Sequence, residues 1–409
     1  VAVTFNPFSG DFRADPYPGL HALRAHDPVH FIDVPGLWFV TRYDDVVAGL
    51  RDPRLSAERF QLSLPEMQSS ALISSLSTMM LLRDPPHHTR LRALVSKAFT
   101  PRVVENLRPR IQEIVDGLMD AVQPAGRMEL MQDLAAPLPV IVIAQLLGIP
   151  VEDRTRFKRW SDALLVIADG TLAPAGFADA ERSAAAFKEY LGGIIPQRRA
   201  HPADDLISGL LAAQEQEDRL SSDELFSTCV LLLIAGHETT TNLIGNGMLA
   251  LLRHPDQLAL LRDAPSLIRS AIEELLRYES PVQLTSRVAK EDVEIRGKHV
   301  RQGQEVCLGL AAANRDPDAF PDPDRLDITR ADNHHVAFGH GLHFCLGAPL
   351  ARLEGQIAIQ TILRRLPGLR LATDSVEWRE GIMMRGLKAL PLRFEREGGV
   401  DTAMLIAGG

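Results

Sequence analysis

One cysteine stands in a setting that suits metal chemistry. In Phe338-Gly-His-Gly-Leu-His-Phe-Cys-Leu-Gly347, Cys345 follows two glycines, precedes a third and lies where a helix begins. Free backbone N–H groups and the positive end of a helix favour an anion there and lower a thiol's pKa. Gly341 and Gly347 let the backbone pass close to something flat and large. A small core residue is the plainer reading of a lone cysteine, and it stands beside the first. A second stretch, Ala235-Gly-His-Glu-Thr-Thr240, is odd for the middle of a buried helix. Gly236 costs about 1 kcal/mol against alanine, and a buried Glu238 costs more unless partnered. Thr239 follows Ala235 by four residues and Gly236 by three, so the three share a face. Glu238 lies about 100° further round and should face a water path. Glu274-x-x-Arg277 and His88-x-x-x-Arg92 put paired polar groups on single helix faces. Read alone, each is a surface pair.

The elements that must position these residues are mostly helical. Ser221-Ser-Asp-Glu224 is a capping box. The helix it opens runs to His254 before Pro255, about 34 residues or roughly 50 Å, enough to cross the molecule. Helical periodicity also covers 103–147 with a break at Gln123–Gly126, then 152–168, 178–199, 265–279 and 346–366. A helix starts near Asp84-Pro-Pro86. The breaker-rich Asp169–Gly176 is either a lid hinge or a plain surface connection. Strands are expected at 29–32 and 37–40, joined by a turn, then at 293–295, near Val300, at 306–308 and as a pair within 376–395. Residues 56–82 read as a loop with short helical pieces. The whole, 1–409, reads as one mainly α domain with a minor β part, and 398–409 as a tail without chemistry.

Composition removes other classes. The net charge of −9 and the lack of a basic block argue against nucleic acid. Cys229, Cys307 and Cys345 form no CxxC pair and no disulfide framework, which points to a reducing cytoplasm. The first residues lack the regions of a signal peptide, and no apolar run reaches the roughly 18 residues of a spanning helix. His237-Glu238 lacks the second histidine of a zinc HExxH site. Gly339-x-Gly341 has no βαβ unit before it, and His334-His335 reads as a solvated loop pair.

Together the motifs resemble those of the cytochrome P450 family, over nearly the whole chain. Phe338-x-x-Gly341-x-His343-x-Cys345-x-Gly347 is similar to its haem-ligand loop. Ala235-Gly236-x-Glu238-Thr239-Thr240 resembles its oxygen-activating helix, and Glu274-x-x-Arg277 its ExxR motif. Arg325, in Asp-Pro-Asp-Arg, matches the arginine that completes that triad, and His88, Arg92, Arg287 and His343 match propionate-binding positions. The resemblance implies haem b held by Cys345 between the long helix and the ligand loop. A cysteine thiolate on haem iron favours O–O cleavage. Protons would travel from bulk water to Glu238 and then Thr239. The likeness is strongest to soluble bacterial members that tailor macrolides, steroids and other secondary metabolites.

A haem-thiolate monooxygenase acting on a fairly large apolar substrate is therefore expected. Its pocket would be lined by Met79, Met80, Leu82, Ile234, Val282, Gln283, Thr285, Met383 and Met384, several of which could equally be core. The chain carries no flavin or iron–sulfur module, so electrons would come from NAD(P)H through ferredoxin reductase and a ferredoxin. The ferredoxin would dock near Lys97, Arg102 and Arg352 on a monomer. A peroxide-driven peroxygenase is the alternative, and a non-catalytic haem binder a further one. The first usually lacks the acid–alcohol pair, and the second needs neither relay nor lid.

Overall fold

Ser221 opens the element on which the fold turns. Its Oγ accepts from Glu224 N at 3.1 Å, and Glu224 Oε2 accepts from Ser221 N at 2.8 Å, so both N-terminal donors are satisfied. The helix runs Ser222–Arg253 and ends at His254, close to the expected span. From Leu225 to Leu251 it is buried on every side except at Ile234, Ala235, Gly236 and Thr239. Such a helix needs apolar partners all round. Among them is the helix Ala348–Arg365, whose Leu353, Ile357 and Ile362 share one core with Leu243, Ile244 and Met248.

The computed structural model describes residues 5–7, 9–59, 71–168, 174–213 and 220–396, and helices dominate it. Around the long helix lie Pro137–Leu146, Arg154–Ala168, Pro174–Ala200 and Ile268–Tyr278. The second of the two mid-chain helices starts at Pro174, earlier than its periodicity predicts, because proline is tolerated in a first helical turn. The connection before it, 169–173, lies outside the described residues, as do 60–70 of the predicted loop and the 398–409 tail. The rest of that loop holds a helix Ala71–Leu76 and a tight turn Met80–Leu82. No helix among the described residues is long and apolar enough to cross a membrane.

The β part is minor. Strands β1 (Val29–Ile32), β2 (Leu37–Val40), β3 (Leu55–Ser56), β5 (Thr285–Ala289) and β8 (Glu305–Leu308) make a sheet ordered β1-β2-β8-β5-β3. It is antiparallel except where β2 runs parallel to β8, with Phe39 opposite Cys307. Strands β6 (Val293–Ile295) and β7 (Lys298–Val300) form a hairpin.

The expected strand pair within 376–395 forms only in part. Strand β10 (Pro391–Arg393) pairs with β4 (Arg127–Glu129) and β9 (Arg370–Leu371). Its partner β4 is distant in sequence and too short to show a period. Residues 377–388 instead make a narrow hairpin carrying one isolated bridge, Trp378 with Leu387. The hairpin rests on the long helix through Gly386. A Cβ there would stand 2.0 Å from Asn242 Oδ1, and Asn242 is fully buried. Gly386→Ala should therefore cost about 1–3 kcal/mol. A lowered melting temperature checks this, and an unchanged one would mean the hairpin yields freely.

Candidate active site

The Cys345 loop is shaped by its own backbone. Gly341 adopts φ +71°, a left-handed conformation open to glycine, and a Cβ there would also crowd Leu50 O at 3.2 Å. Phe344 N donates to Gly341 O at 3.1 Å, and Cys345 N donates to Phe338 O at 2.9 Å. These bonds close the loop just before the helix Ala348–Arg365, with Gly347 as its cap. Gly347 has an ordinary φ of −78°, so chain geometry alone does not demand glycine there. The Phe338 ring lies 4.6 Å beneath the Arg352 guanidinium.

The thiol differs from the sequence expectation. Burial pushes the Cys345 thiol up, and this outweighs the N–H groups of Gly347 and Ala348 and the charges of Arg92 and Arg352, which pull it down. The helix start acts as expected but is the smaller effect. A coordinated metal deprotonates a thiol outright.

Basic side chains converge beside this loop from three elements. The His88 and His343 rings stand 4.1 Å apart between centroids. His88 and Arg92 come from the helix His87–Ala98, and Arg287 from β5. Burial, then His88 and Arg287, push His343 down to about 3. Burial, then Arg92 and Arg287, lower His88. Burial, then Arg59, push Arg287 down to about 10. Arg287 donates to Ser286 O at 2.8 Å and Thr285 Oγ1 at 3.2 Å. His88 Nδ1 is buried without a hydrogen-bond partner. Arginines packed beside two imidazoles, one with an unpartnered ring nitrogen, suit bound carboxylates. Arg59 belongs to this group and carried no motif that could have revealed it.

Opposite chemistry lines the long helix. Ala235 is exposed, and Ile234, Gly236 and Thr239 are half-buried, in a helix otherwise buried for seven turns. Gly236 also lets Ile143 approach, since a Cβ would meet its Cδ1 at 2.8 Å. Thr239 Oγ1 donates to Ala235 O at 2.8 Å, leaning back along the predicted face. Glu238 does not look onto open solvent. Its side chain is 3% exposed and pairs with Arg379, Nη1 to Oε1 3.4 Å. Next to it, His237 Nδ1 lies 3.0 Å from Ser161 Oγ, and burial pushes its ring down to about 4.

The triad needs one correction. Glu274 and Arg277 are fully buried and joined by two bonds of 2.8 Å. The second arginine side chain on Glu274 is Arg330, Nε to Oε2 3.1 Å, and not Arg325. Arg325 is exposed and offers only its carbonyl, which accepts from Arg277 Nη2 at 3.1 Å. The proline-studded turn ahead of it directs Arg325 outward, and a second turn brings Arg330 back. Nor is His335 solvated, because its ring is buried against Glu273, 3.1 Å away.

Of the proposed pocket, Met79, Met80 and Leu82 are buried, whereas Ile234, Val282, Gln283, Thr285, Met383 and Met384 are half-buried. Gln283 is already committed, with its Nε2 donating to Ser280 O at 2.6 Å and its N to Met383 O at 2.8 Å. Thr285 Oγ1 accepts from Arg287.

A cysteine loop closed by backbone bonds, a cluster of arginines suited to two carboxylates and an opened helix face fit a haem. The chain belongs to the cytochrome P450 family, whose sequence profile, described as Cytochrome P450, matches residues 64–368. It is a cytochrome P450 monooxygenase. The chain is 48% identical to Vitamin D(3) 25-hydroxylase of Pseudonocardia autotrophica over 94% of its length and 95% of the relative's. It is 47% identical to cytochrome P450 monooxygenase PikC of Streptomyces venezuelae, over 94% of this chain and 92% of the other. The fold matches the bacillaene polyketide synthase cytochrome P450 PksS of Bacillus subtilis 168 with a TM-score of 0.90, at 40% identity, over 96% of this chain and all of that one.

Proposed function

We propose that this monooxygenase acts on a fairly large, mostly aliphatic substrate through a haem-thiolate centre at Cys345. The observation that carries the reading is the break in burial at Ile234–Gly236 and Thr239, in a helix otherwise enclosed. When bound, haem b supplies dioxygen activation, with the cysteine sulfur donating electron density to the iron. His88, Arg92, Arg287 and His343 would hold its two propionates. Ala235 keeps side-chain bulk away from the reacting face, and Gly236 lets Ile143 pack against the helix there. Thr239 holds a hydroxyl proton at that face, and Glu238 returns protons to it from the solvent side. The half-buried Val282, Met383 and Met384 offer adaptable apolar contact, in keeping with the vitamin D(3) and polyketide named for relatives.

Electrons would come from NAD(P)H by way of ferredoxin reductase and a ferredoxin. Lys97 and Arg102 are exposed and suit an acidic partner. Arg352 is less available, because it binds Glu273 by two bonds of 2.7 Å. Charge reversal at Lys97 and Arg102 therefore tests docking more cleanly than reversal at Arg352. The three cysteines are all free, in keeping with a reducing cytoplasm.

Thr239→Ala tests the relay. Product formed per electron should fall by about 10²-fold, with peroxide released instead and haem content unchanged. Coupling equal to wild type would favour the peroxide-driven alternative. Screening a compound library for substrate-induced spin shifts would identify the substrate.

A further inference from the structure

The hairpin 377–388 touches both the acid of the long helix and the substrate side. Its arms are zipped by Lys388 N to Glu377 O and Arg379 N to Gly386 O, each 2.8 Å. Arg385 braces them, its guanidinium 3.5 Å over the Trp378 ring and its Nε 2.6 Å from Glu279 Oε1. One arm lies along the long helix, where Asn246 Nδ2 donates to Arg385 O at 2.9 Å and Gly386 rests on Asn242. The other arm sends Arg379 to Glu238. Glu238, Asn242 and Asn246 are spaced by four, so the hairpin is seated on one stripe of the helix. At the far end Met383 O accepts from Gln283 N, Arg385 N donates to Pro281 O at 2.8 Å, and Val282 bridges Met384. Of these, Val282, Gln283, Met383 and Met384 were assigned above to the substrate pocket.

The pair is asymmetric in exposure. Glu238 is 3% exposed and Arg379 is 44% exposed. A carboxylate so enclosed needs a counter-charge to stay ionised and to keep one orientation. The guanidinium supplies both while its other face stays in water.

We propose that Arg379 is a positioning residue for proton delivery, fixing the Glu238 carboxylate at the solvent end of the relay. The hairpin that carries Arg379 makes this grip depend on the packing of Met383 and Met384, so substrate contact and proton supply share one support. The inference rests on the Glu238–Thr239 relay.

The test compares holoenzyme carrying Arg379→Gln, Arg379→Lys and Glu238→Gln with wild type, using vitamin D3 as probe and dioxygen as oxidant. Arg379→Gln should lower product per electron about tenfold and raise peroxide accordingly, while the probe's spin-state shift and KM stay unchanged. Arg379→Lys should restore most of the coupling, because it restores the charge. Full coupling in Arg379→Gln with impaired Glu238→Gln overturns the proposal alone. Full coupling in both overturns the relay as well. Loss of the spin shift together with coupling in Arg379→Gln would assign Arg379 to the fold and also overturn it.

Discussion

Cys345→Ser should abolish the strongly red-shifted Soret band of the ferrous carbonyl complex and reduce monooxygenase turnover to background. Local groups favour a thiolate once a metal has displaced the proton, although burial outweighs them in the free thiol. The N–H groups of Gly347 and Ala348 point at the sulfur, and the charges of Arg92 and Arg352 lie close. An alcohol gains far less from the same groups, because it stays protonated where a metal-bound thiol does not. It also lacks the sulfur's electron donation. The fold should barely notice, since the loop bonds from Cys345 N to Phe338 O and from Phe344 N to Gly341 O are backbone bonds. Thermal stability of the apoprotein should change by no more than about 1 kcal/mol. Persistence of the red-shifted band in the variant would falsify the ligand assignment.

Glu274→Gln should have the largest effect on stability. Its carboxylate takes Arg277 Nε and Nη2 at 2.8 Å, Arg330 Nε and Asn333 Nδ2 at 3.1 Å, and Asp327 N at 2.9 Å. Arg277 spends its remaining donors on the carbonyls of Asn314, Pro323 and Arg325. Both side chains are fully buried. A neutral amide would leave the Arg277 charge enclosed and uncompensated, at a cost of about 3–5 kcal/mol. That is a large part of the roughly 5–15 kcal/mol that stabilises a typical domain. Urea unfolding should show an early transition, with poor haem retention in expressed protein. Arg325→Ala is the contrast. The backbone carbonyl survives that change, so the midpoint should move by less than about 0.5 kcal/mol. Equal losses in the two variants would restore the Arg325 side chain to the triad.

Local rules carried the sequence reading where the interaction was local. The capping box at Ser221 and Glu224 depends on residues three apart, and it set the helix start. The face shared by Ala235 and Thr239 follows from helix geometry, and the Thr239 hydroxyl lies along it. Strand β4 was missed because three residues after a breaker show no period, and its partner β10 is remote in sequence. Arg330 was missed because it lies five residues beyond the arginine that the motif marks, across an irregular turn.

By itself, the sequence determined the mainly helical class, the enclosed long helix, the cysteine loop and its glycine at 341. Each of these is written in spacing, capping or backbone conformation within a few residues. Only the tertiary structure decided what the charged groups meet. Desolvation and partnership depend on residues far away in the chain. Hence burial outweighs the helix start at the Cys345 thiol, Arg59 joins His88 and Arg287, Glu274 takes Arg330, and Glu238 is paired with Arg379 instead of open water.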